Sequence, residues 1–319
     1  MPRVSLCVPV YRGARFLPAL GAALRAQSLA DFTAVISIDG EDDGESIEAA
    51  RALTTDSRFV LRINPQPLGW SGHAAALLRA TTTDYACYMP QDDLPEPEYL
   101  AVMLLAAEAM PAPGSVFTDI RYVGTHAHVE TNAGIEHPLK LDRMRAALAR
   151  QPWIPARGLV PRALAAGGMF APSTPAQIAE DHVAGLRMAI FGPVRRIAAP
   201  LYRKAVHATN AGGRWLAWDG ARRRAAWMEL GIRLLETALP EVRGPQEAWQ
   251  LWAALFHRHC LPVPGRHEFW IPEDRPEAII GFARELLEGF AARGHDLAAL
   301  FGEDAGSLAR AALARARPG

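Results

Sequence analysis

Tyr85-Ala86-Cys87-Tyr88-Met89-Pro90-Gln91-Asp92-Asp93 decides how this chain is read. Tyr85 to Met89 is apolar and aromatic-rich, the composition of a short strand covered on both faces. Pro90 has no N–H to give to a ladder and ends the pairing. Two carboxylates follow at once, and Pro95 and Pro97 bracket the start of a helical run, Glu98 to Met110. Open α/β sheets bind ligands outside the carboxyl ends of their parallel strands. Adjacent acids there repel each other, and a divalent cation bridging phosphate oxygens relieves them. The plainer alternative is that Asp93 caps the helix after it.

Outward from that stretch, strands and helices alternate. Val4 to Val10 reads as a strand, and Phe16, Leu17, Leu20, Ala23 and Leu24 recur at helical spacing. Phe32 to Ile38 is a second strand ending at Asp39-Gly40, with a helix through Ile47 and Leu53 behind it. Phe59 to Ile63 is a third, and a helix from about Ser71 to Arg79 leads into Tyr85. Such βαβ units make a mainly parallel sheet. Its strand ends carry Tyr11 and Arg12, Asp39, and Asp92-Asp93, which the sheet sets side by side. A ring can stack on a base, one carboxylate can accept from base or ribose, and an acid pair can hold a metal on phosphates. This is a candidate nucleotide site. A Gly-x-Gly-x-x-Gly turn after the first strand is missing, as is a P-loop, which disfavours a dinucleotide dehydrogenase.

Composition narrows the classes further. The 319 residues are half apolar with zero formal charge, so a globular protein is expected and nucleic acid is not an expected partner. Apolar runs are broken before membrane-spanning length, and the chain enters its first strand without a charged lead or cleavage site. Cys7, Cys87 and Cys260 form no close pair and suit a reducing compartment. A soluble cytoplasmic protein without a transmembrane segment is the expectation.

Five pieces in register carry a family resemblance: Val4-Ser5-Leu6-Cys7-Val8-Pro9-Val10-Tyr11, Gln27-Ser28-Leu29-Ala30-Asp31-Phe32, Asp39-Gly40 with Asp43-Gly44, Asn64-Pro65 with Leu68-Gly69, and Gln91-Asp92-Asp93. Over about the first hundred residues the chain resembles the family 2 glycosyltransferases, inverting enzymes of the GT-A fold. The resemblance implies an α/β fold with a Rossmann-like sheet. It also implies a nucleoside-diphosphate sugar donor, UDP-sugar favoured, and Mn²⁺ or Mg²⁺. By position, Pro9 and Tyr11 would flank the base and Asp39 would accept from it. Asp92 would lie near the ribose or donor sugar, and Asp93 would ligate the metal.

The chain also departs from the pattern. Only the second of the family's usual two acids is kept in Ile38-Asp39, and Gln91 replaces the first acid of the metal motif. Trp70-Ser71-Gly72-His73-Ala74-Ala75 carries no Arg or Lys, so His73 or the helix N-terminus itself would serve the diphosphate. The alternative for His73 is an ordinary helix-start histidine.

Beyond Tyr122, His126, His128 and His137 read as a polar hairpin or loop rather than a metal set. Trp153 and Arg157 could engage a sugar, or be a core Trp with a surface Arg. Glu180-Asp181 opens a helix, Val183 to Ile190, where acids are favoured by the dipole alone. The resemblance gives Asp181 the role of general base toward the acceptor hydroxyl and Glu180 a supporting one. It also makes His207 a metal ligand beside Asp93; Arg203 and Lys204 could face the diphosphate in place of the missing basic residue, or belong to a surface strand of alternating charge.

The expected organisation is a GT-A domain over residues 1–210, with a nucleotide-sugar half at 1–125 and an acceptor half at 126–210. Residues 211–319 form a helical, Trp-rich region, a candidate surface for a homodimer or protein partner. The acceptor is a glycan, a lipid-linked molecule or a small molecule. Two other classes stay open: a catalytically silent nucleotide-sugar-binding or scaffold protein, and a sugar-phosphate nucleotidyltransferase. The second should carry a glycine-rich basic loop where this chain has Tyr11-Arg12-Gly13-Ala14-Arg15.

Overall fold

The alternation of apolar strands and amphipathic helices in the first hundred residues builds one half of a sheet. A computed structural model describes residues 2–41, 43–124, 127–170, 174–206, 215–262, 270 and 272–317. Contacts divide the chain into two units. One comprises Met1–Glu136, Pro152–Ser173 and Arg187–His207, the other His137–Gln151, Thr174–Leu186 and Ala208–Gly319.

In the first unit, β1 (Val4–Val10), β2 (Phe32–Asp39), β3 (Phe59–Asn64) and β4 (Tyr85–Tyr88) lie in the order β3-β2-β1-β4, all parallel. Crossover helices α1 (Leu17–Arg25), α2 (Gly44–Leu53) and α3 (Gly69–Arg79) join them, and α4 (Tyr99–Glu108) follows β4. Val4, Leu6, Val8 and Val10 are fully buried, as a central parallel strand requires. The β1–β4 ladder stops at Cys7 opposite Tyr88. Pro9 has no N–H to continue it, so the two strand ends part just where the polar residues begin.

The other half of the sheet is mixed. It runs β4-β8-β6-β9-β5, built from β5 (Leu94–Pro95), β6 (Ser115–Val123), β8 (Leu159–Pro161) and β9 (Val194–Ala205), with β7 (Val129–Glu130) paired to β6. β8 is antiparallel to β4 and β6, whereas β9 is parallel to β6. Pro200 sits inside β9 at an irregularity, where the register jumps between Thr118↔Ile197 and Ile120↔Tyr202, a position at which a strand tolerates proline. β9 then pairs antiparallel with β5, Leu94 opposite Arg203 and Pro95 opposite Tyr202. The last strand is thereby brought directly alongside the Asp92-Asp93 turn.

The second unit is helical. It contains α5 (Lys140–Arg150), the start of α7 (Glu180–Phe191), α8 (Gly220–Ala238), α9 (Pro245–His259), α10 (Pro276–Ala291), α11 (Leu297–Phe301) and α12 (Ala305–Ala316); the short α6 (Arg162–Ala166) belongs to the first unit. Asp219, Asp296 and Asp304 cap helices through backbone N–H groups of Arg222, Ala299 and Ser307, and prolines open α9 and α10. Trp227 and Trp252 are core residues at 1% and 0% exposure.

Trp227 and His259 clamp α8 to α9. The indole N–H donates to the His259 carbonyl at 3.0 Å, His259 Nε2 donates to the Trp227 carbonyl at 2.7 Å, and the rings stack at 4.0 Å. Gly231 makes room for this clamp, since a Cβ there would meet Leu286 Cδ1 at 2.5 Å and His259 Nε2 at 2.6 Å. Gly231→Ala should therefore lower unfolding free energy by about 1–3 kcal/mol in denaturant titration, outweighing the ~1 kcal/mol that helix propensity adds at an open site.

Candidate active site

The turn after β1 is held by its backbone. Tyr11 N–H donates to Gln91 Oε1 at 2.9 Å, and Gln91 Nε2 donates back to the Tyr11 carbonyl at 3.2 Å. Arg12 N–H donates to Asp43 Oδ2 at 2.6 Å and Gly13 N–H to Ser46 Oγ at 2.9 Å. The Tyr11 ring is 48% exposed, with the Arg12 guanidinium 5.3 Å from its centre. Pro9 is half-buried in the last stretch of β1. The turn thus offers an exposed ring on a fixed backbone.

Asp39, at the end of β2, is 3% exposed. Its Oδ1 accepts from Asn64 Nδ2 at 3.1 Å and from Leu68 N–H at 2.9 Å, and its Oδ2 accepts from Gly69 N–H at 3.0 Å. A carboxylate has about four lone-pair sites, so room for about one further donor remains. His73 is 2% exposed, packed against Asp39 with Nδ1 3.7 Å from Oδ1, while Nε2 lies 2.8 Å from Ser37 Oγ. Burial lowers the His73 pKa and the Asp39 charge opposes it. In this position the imidazole supports Asp39 and does not face solvent.

Asp93 is fully buried. Its Oδ2 accepts from the Tyr202 hydroxyl at 2.5 Å and lies 3.7 Å from Lys204 Nζ, whereas Oδ1 has no hydrogen-bond partner among the described residues. Burial raises the Asp93 pKa against the pull of the Lys204 charge. Asp92, beside it, is half-exposed. Alternation along β9 turns Tyr202 and Lys204 to Asp93 and sends Arg203 to Glu96 at 3.1 Å. Arg157 is only 7% exposed, with its guanidinium 4.9 Å from the Tyr88 ring centre and 5.3 Å from that of Trp153. The Trp153 indole donates to Glu130 Oε1 at 2.8 Å, and Lys204 Nζ lies 5.5 Å from its ring centre. His128, on the β6–β7 hairpin, stacks on Tyr122. Among the described residues no group of three or more His, Cys, Asp or Glu could hold a metal ion. His126, His207 and the Asn210-Ala211-Gly212-Gly213 turn lie outside the described residues.

Glu180 and Asp181 open α7 in the second unit. Glu180 is 1% exposed, and its Oε1 accepts from the N–H and the Oγ1 of Thr174, both at 2.5 Å. Burial raises its pKa, and the two Thr174 bonds oppose that. Asp181 is half-exposed. Just before them Gln177 and Ala179 hold φ of 50° and 51°, a left-handed backbone rare for residues other than glycine.

The sheet thus gathers Tyr11, Asp39, Asp92 and Asp93 at the carboxyl ends of adjacent parallel strands. Sequence reasoning missed Tyr202 and the Gln91–Tyr11 pairing, and did not separate Lys204 from Arg203. Period-2 alternation on β9 groups Tyr202 with Lys204 and was the available signal.

Residues 5–153 match the model of glycosyl transferase family 2. None of the curated proteins matches the chain in sequence. Among solved structures, S. aureus TarS 1-349 in complex with UDP-GlcNAc is similar with a TM-score of 0.68 at 14% identity, over 99% of this chain and 89% of that one. The mannosyltransferase PcManGT from Pyrobaculum calidifontis, in complex with GDP-Man and Mn²⁺, is similar with a TM-score of 0.54 at 17% identity, over 99% and 81%. At these identities the likeness shows the fold. Among the described residues no helix is long and apolar enough to cross a membrane. Residues 5–153 thus carry a match to glycosyl transferase family 2, and the chain is a glycosyltransferase of GT-A-like fold with a helical C-terminal region.

Proposed function

We propose that the chain moves a sugar, with inversion, from a nucleoside-diphosphate sugar to an acceptor hydroxyl, using a divalent cation held at Asp93. The observation that carries this is the orphaned oxygen, Asp93 Oδ1, buried at the end of a parallel strand beside a second acid. Mn²⁺ and Mg²⁺ take oxygen ligands, and Mg²⁺ is commonly bound through one or two carboxylates with substrate phosphates completing the shell. A single unpartnered carboxylate oxygen is therefore a donor of the right kind. Asp93 would hold the ion, and His207 is the second ligand that the family resemblance suggests. When bound, the ion supplies positive charge against the departing diphosphate.

The chain's own residues do the rest. Tyr11, with Pro9, stacks on the base, and Asp39 accepts from it through its remaining lone pair. Asp92 contacts the ribose or donor sugar. Of the two basic residues on β9, Lys204 faces Asp93 and is the one we assign to the diphosphate, while Arg203 is engaged by Glu96. His73 acts through Asp39. In the role given by the family resemblance, Asp181 takes the proton of the attacking hydroxyl and Glu180 supports it. UDP-sugar is the favoured donor, and the TarS complex with UDP-GlcNAc supports it. The three free, buried cysteines suit a cytoplasmic site of action.

Calorimetric titration of UDP, GDP and dTDP, each with and without Mn²⁺, tests the reading. One nucleotide, UDP foremost, should bind more tightly with Mn²⁺, and Asp93→Ala should abolish the Mn²⁺-dependent part. An Asp93→Ala titration identical to wild type would remove Asp93 from the site.

A further inference from the structure

We infer that Gln91 is a positioning residue: its side-chain amide sets the base-stacking Tyr11 and joins that turn to the Asp92-Asp93 turn. The inference rests on the donor reading above and extends it to a residue whose side chain pairs with the backbone of Tyr11.

The chemistry at position 91 is specific. One side chain meets both backbone groups of one residue, accepting from Tyr11 N–H at 2.9 Å and donating to the Tyr11 carbonyl at 3.2 Å. Only an amide can do both. A carboxylate of the same length would accept from the N–H but set an oxygen against the carbonyl, with no proton between them. Glutamate and the apolar isostere methionine each fit the space and lose part or all of the pairing. Asparagine is one methylene short.

The surroundings are built around this pairing. A Cβ at Gly13 would collide with Gln91 Oε1, so the glycine leaves the space that the amide fills. Arg12 holds a φ of 47°, a strained value for a residue with a side chain, while its N–H is taken by Asp43. Three consecutive N–H groups, of Tyr11, Arg12 and Gly13, are thus engaged by three side chains from two segments, Gln91 from one and Asp43 with Ser46 at the start of α2 from the other. The backbone under the exposed ring is ordered before any nucleotide arrives, so its ordering cost is not charged to binding. Gln91 is also the residue before Asp92-Asp93, so the same amide ties the base end of the donor to the diphosphate end.

The test uses the full-length chain with UDP as probe, titrated without divalent cation, and steady-state kinetics with the donor whose nucleotide binds best. Gln91→Met should weaken UDP on the order of tenfold, the worth of about one hydrogen bond. It should raise donor KM by a similar factor and move kcat by less than about twofold. Gln91→Glu should do the same, and serves where the methionine variant does not fold. In a Tyr11→Ala background Gln91→Met should add nothing further, because the residue acts through Tyr11. A residue that merely stabilised the fold would instead lower melting temperature and kcat and add its effect to that of Tyr11→Ala. UDP affinity unchanged in both Gln91 variants, or additive losses in the double variant, overturns the inference and leaves the donor reading standing. A wild-type chain that binds no nucleotide overturns both.

Discussion

Asp181→Asn is expected to cut turnover by about 10²–10⁴-fold while leaving donor affinity nearly unchanged. The substitution preserves size and hydrogen-bonding shape and removes the group that can hold a proton. Asp181 stands in the first turn of α7, where an acid also serves the helix dipole. Dipole stabilisation of that sort is worth about 0.3–1 kcal/mol. The predicted loss in rate corresponds to about 3–5 kcal/mol of transition-state stabilisation. The two roles therefore separate by magnitude, with stability read in denaturant and turnover in a donor-consumption assay. A near-wild-type rate would leave Asp181 as a cap. Glu180 behaves differently because it is buried against Thr174. Glu180→Ala leaves two Thr174 donors without an acceptor and should lower stability by about 1–3 kcal/mol whatever it does to rate. The left-handed backbone at Gln177 and Ala179 sits immediately before both acids. Strain of that kind costs of order 1–3 kcal/mol per residue and persists where the surroundings enforce it, often next to chemistry.

The parts of this fold that were legible in sequence are those whose signals are local. β1, β2, β3 and β4 stand out because both faces of each are apolar for several residues, and their ends because polar residues follow without a break. Asp39 and the Asp92-Asp93 turn are found that way. The C-terminal helices are legible from their apolar spacing and from aspartate or proline at their starts. Illegible features depend on pairing between distant segments. β5 and β8 have two and three residues, too short for any period. Residues 194–205 fold as one strand through Pro200, because the proline falls at a register shift that only the partner strand reveals. That strand's side chains reach Asp93 only because β9 crosses back to β5. Gln91 in isolation reads as a substituted acid, and its amide acquires a meaning from Tyr11, 80 positions earlier. His73 reads as a candidate phosphate ligand until the packing of α3 on the sheet turns it to Asp39 and Ser37.

Acidification from pH 8 to pH 5 is expected to cost the helical unit about 4 kcal/mol through two histidines, about 2 kcal/mol from each. His182 and His259 are 5% and 1% exposed, and burial pushes both pKa values down to about 3; the Arg258 charge adds to the effect on each. In His259 the neutral form is also fixed by geometry: Nε2 donates to the Trp227 carbonyl and Nδ1 faces Gln151 Nε2, a donor, at 3.3 Å. A proton on Nδ1 would meet that donor. Unfolded histidines titrate near 6.5, so as pH falls below that value the unfolded chain takes up protons and the native chain does not. The stabilisation is complete above pH 6.5 and is lost progressively toward the folded value of about 3. At pH 5 its size depends on the unfolded pKa and hardly on how far below 5 the folded one lies. Buried Glu180 acts in the opposite sense: its raised pKa gives stability below the unfolded value and withdraws it as pH rises through the folded one. The histidine contribution is therefore read as a difference between wild type and His182→Gln or His259→Gln. Apart from Trp70 and Trp153, the eight tryptophans lie from residue 215 onward, so tryptophan emission in a denaturant titration reports this unit. Each variant should lose about 2 kcal/mol less than wild type between pH 8 and pH 5, whatever its absolute stability. Parallel pH profiles would mean that these histidines reach solvent and carry their protons in the native state.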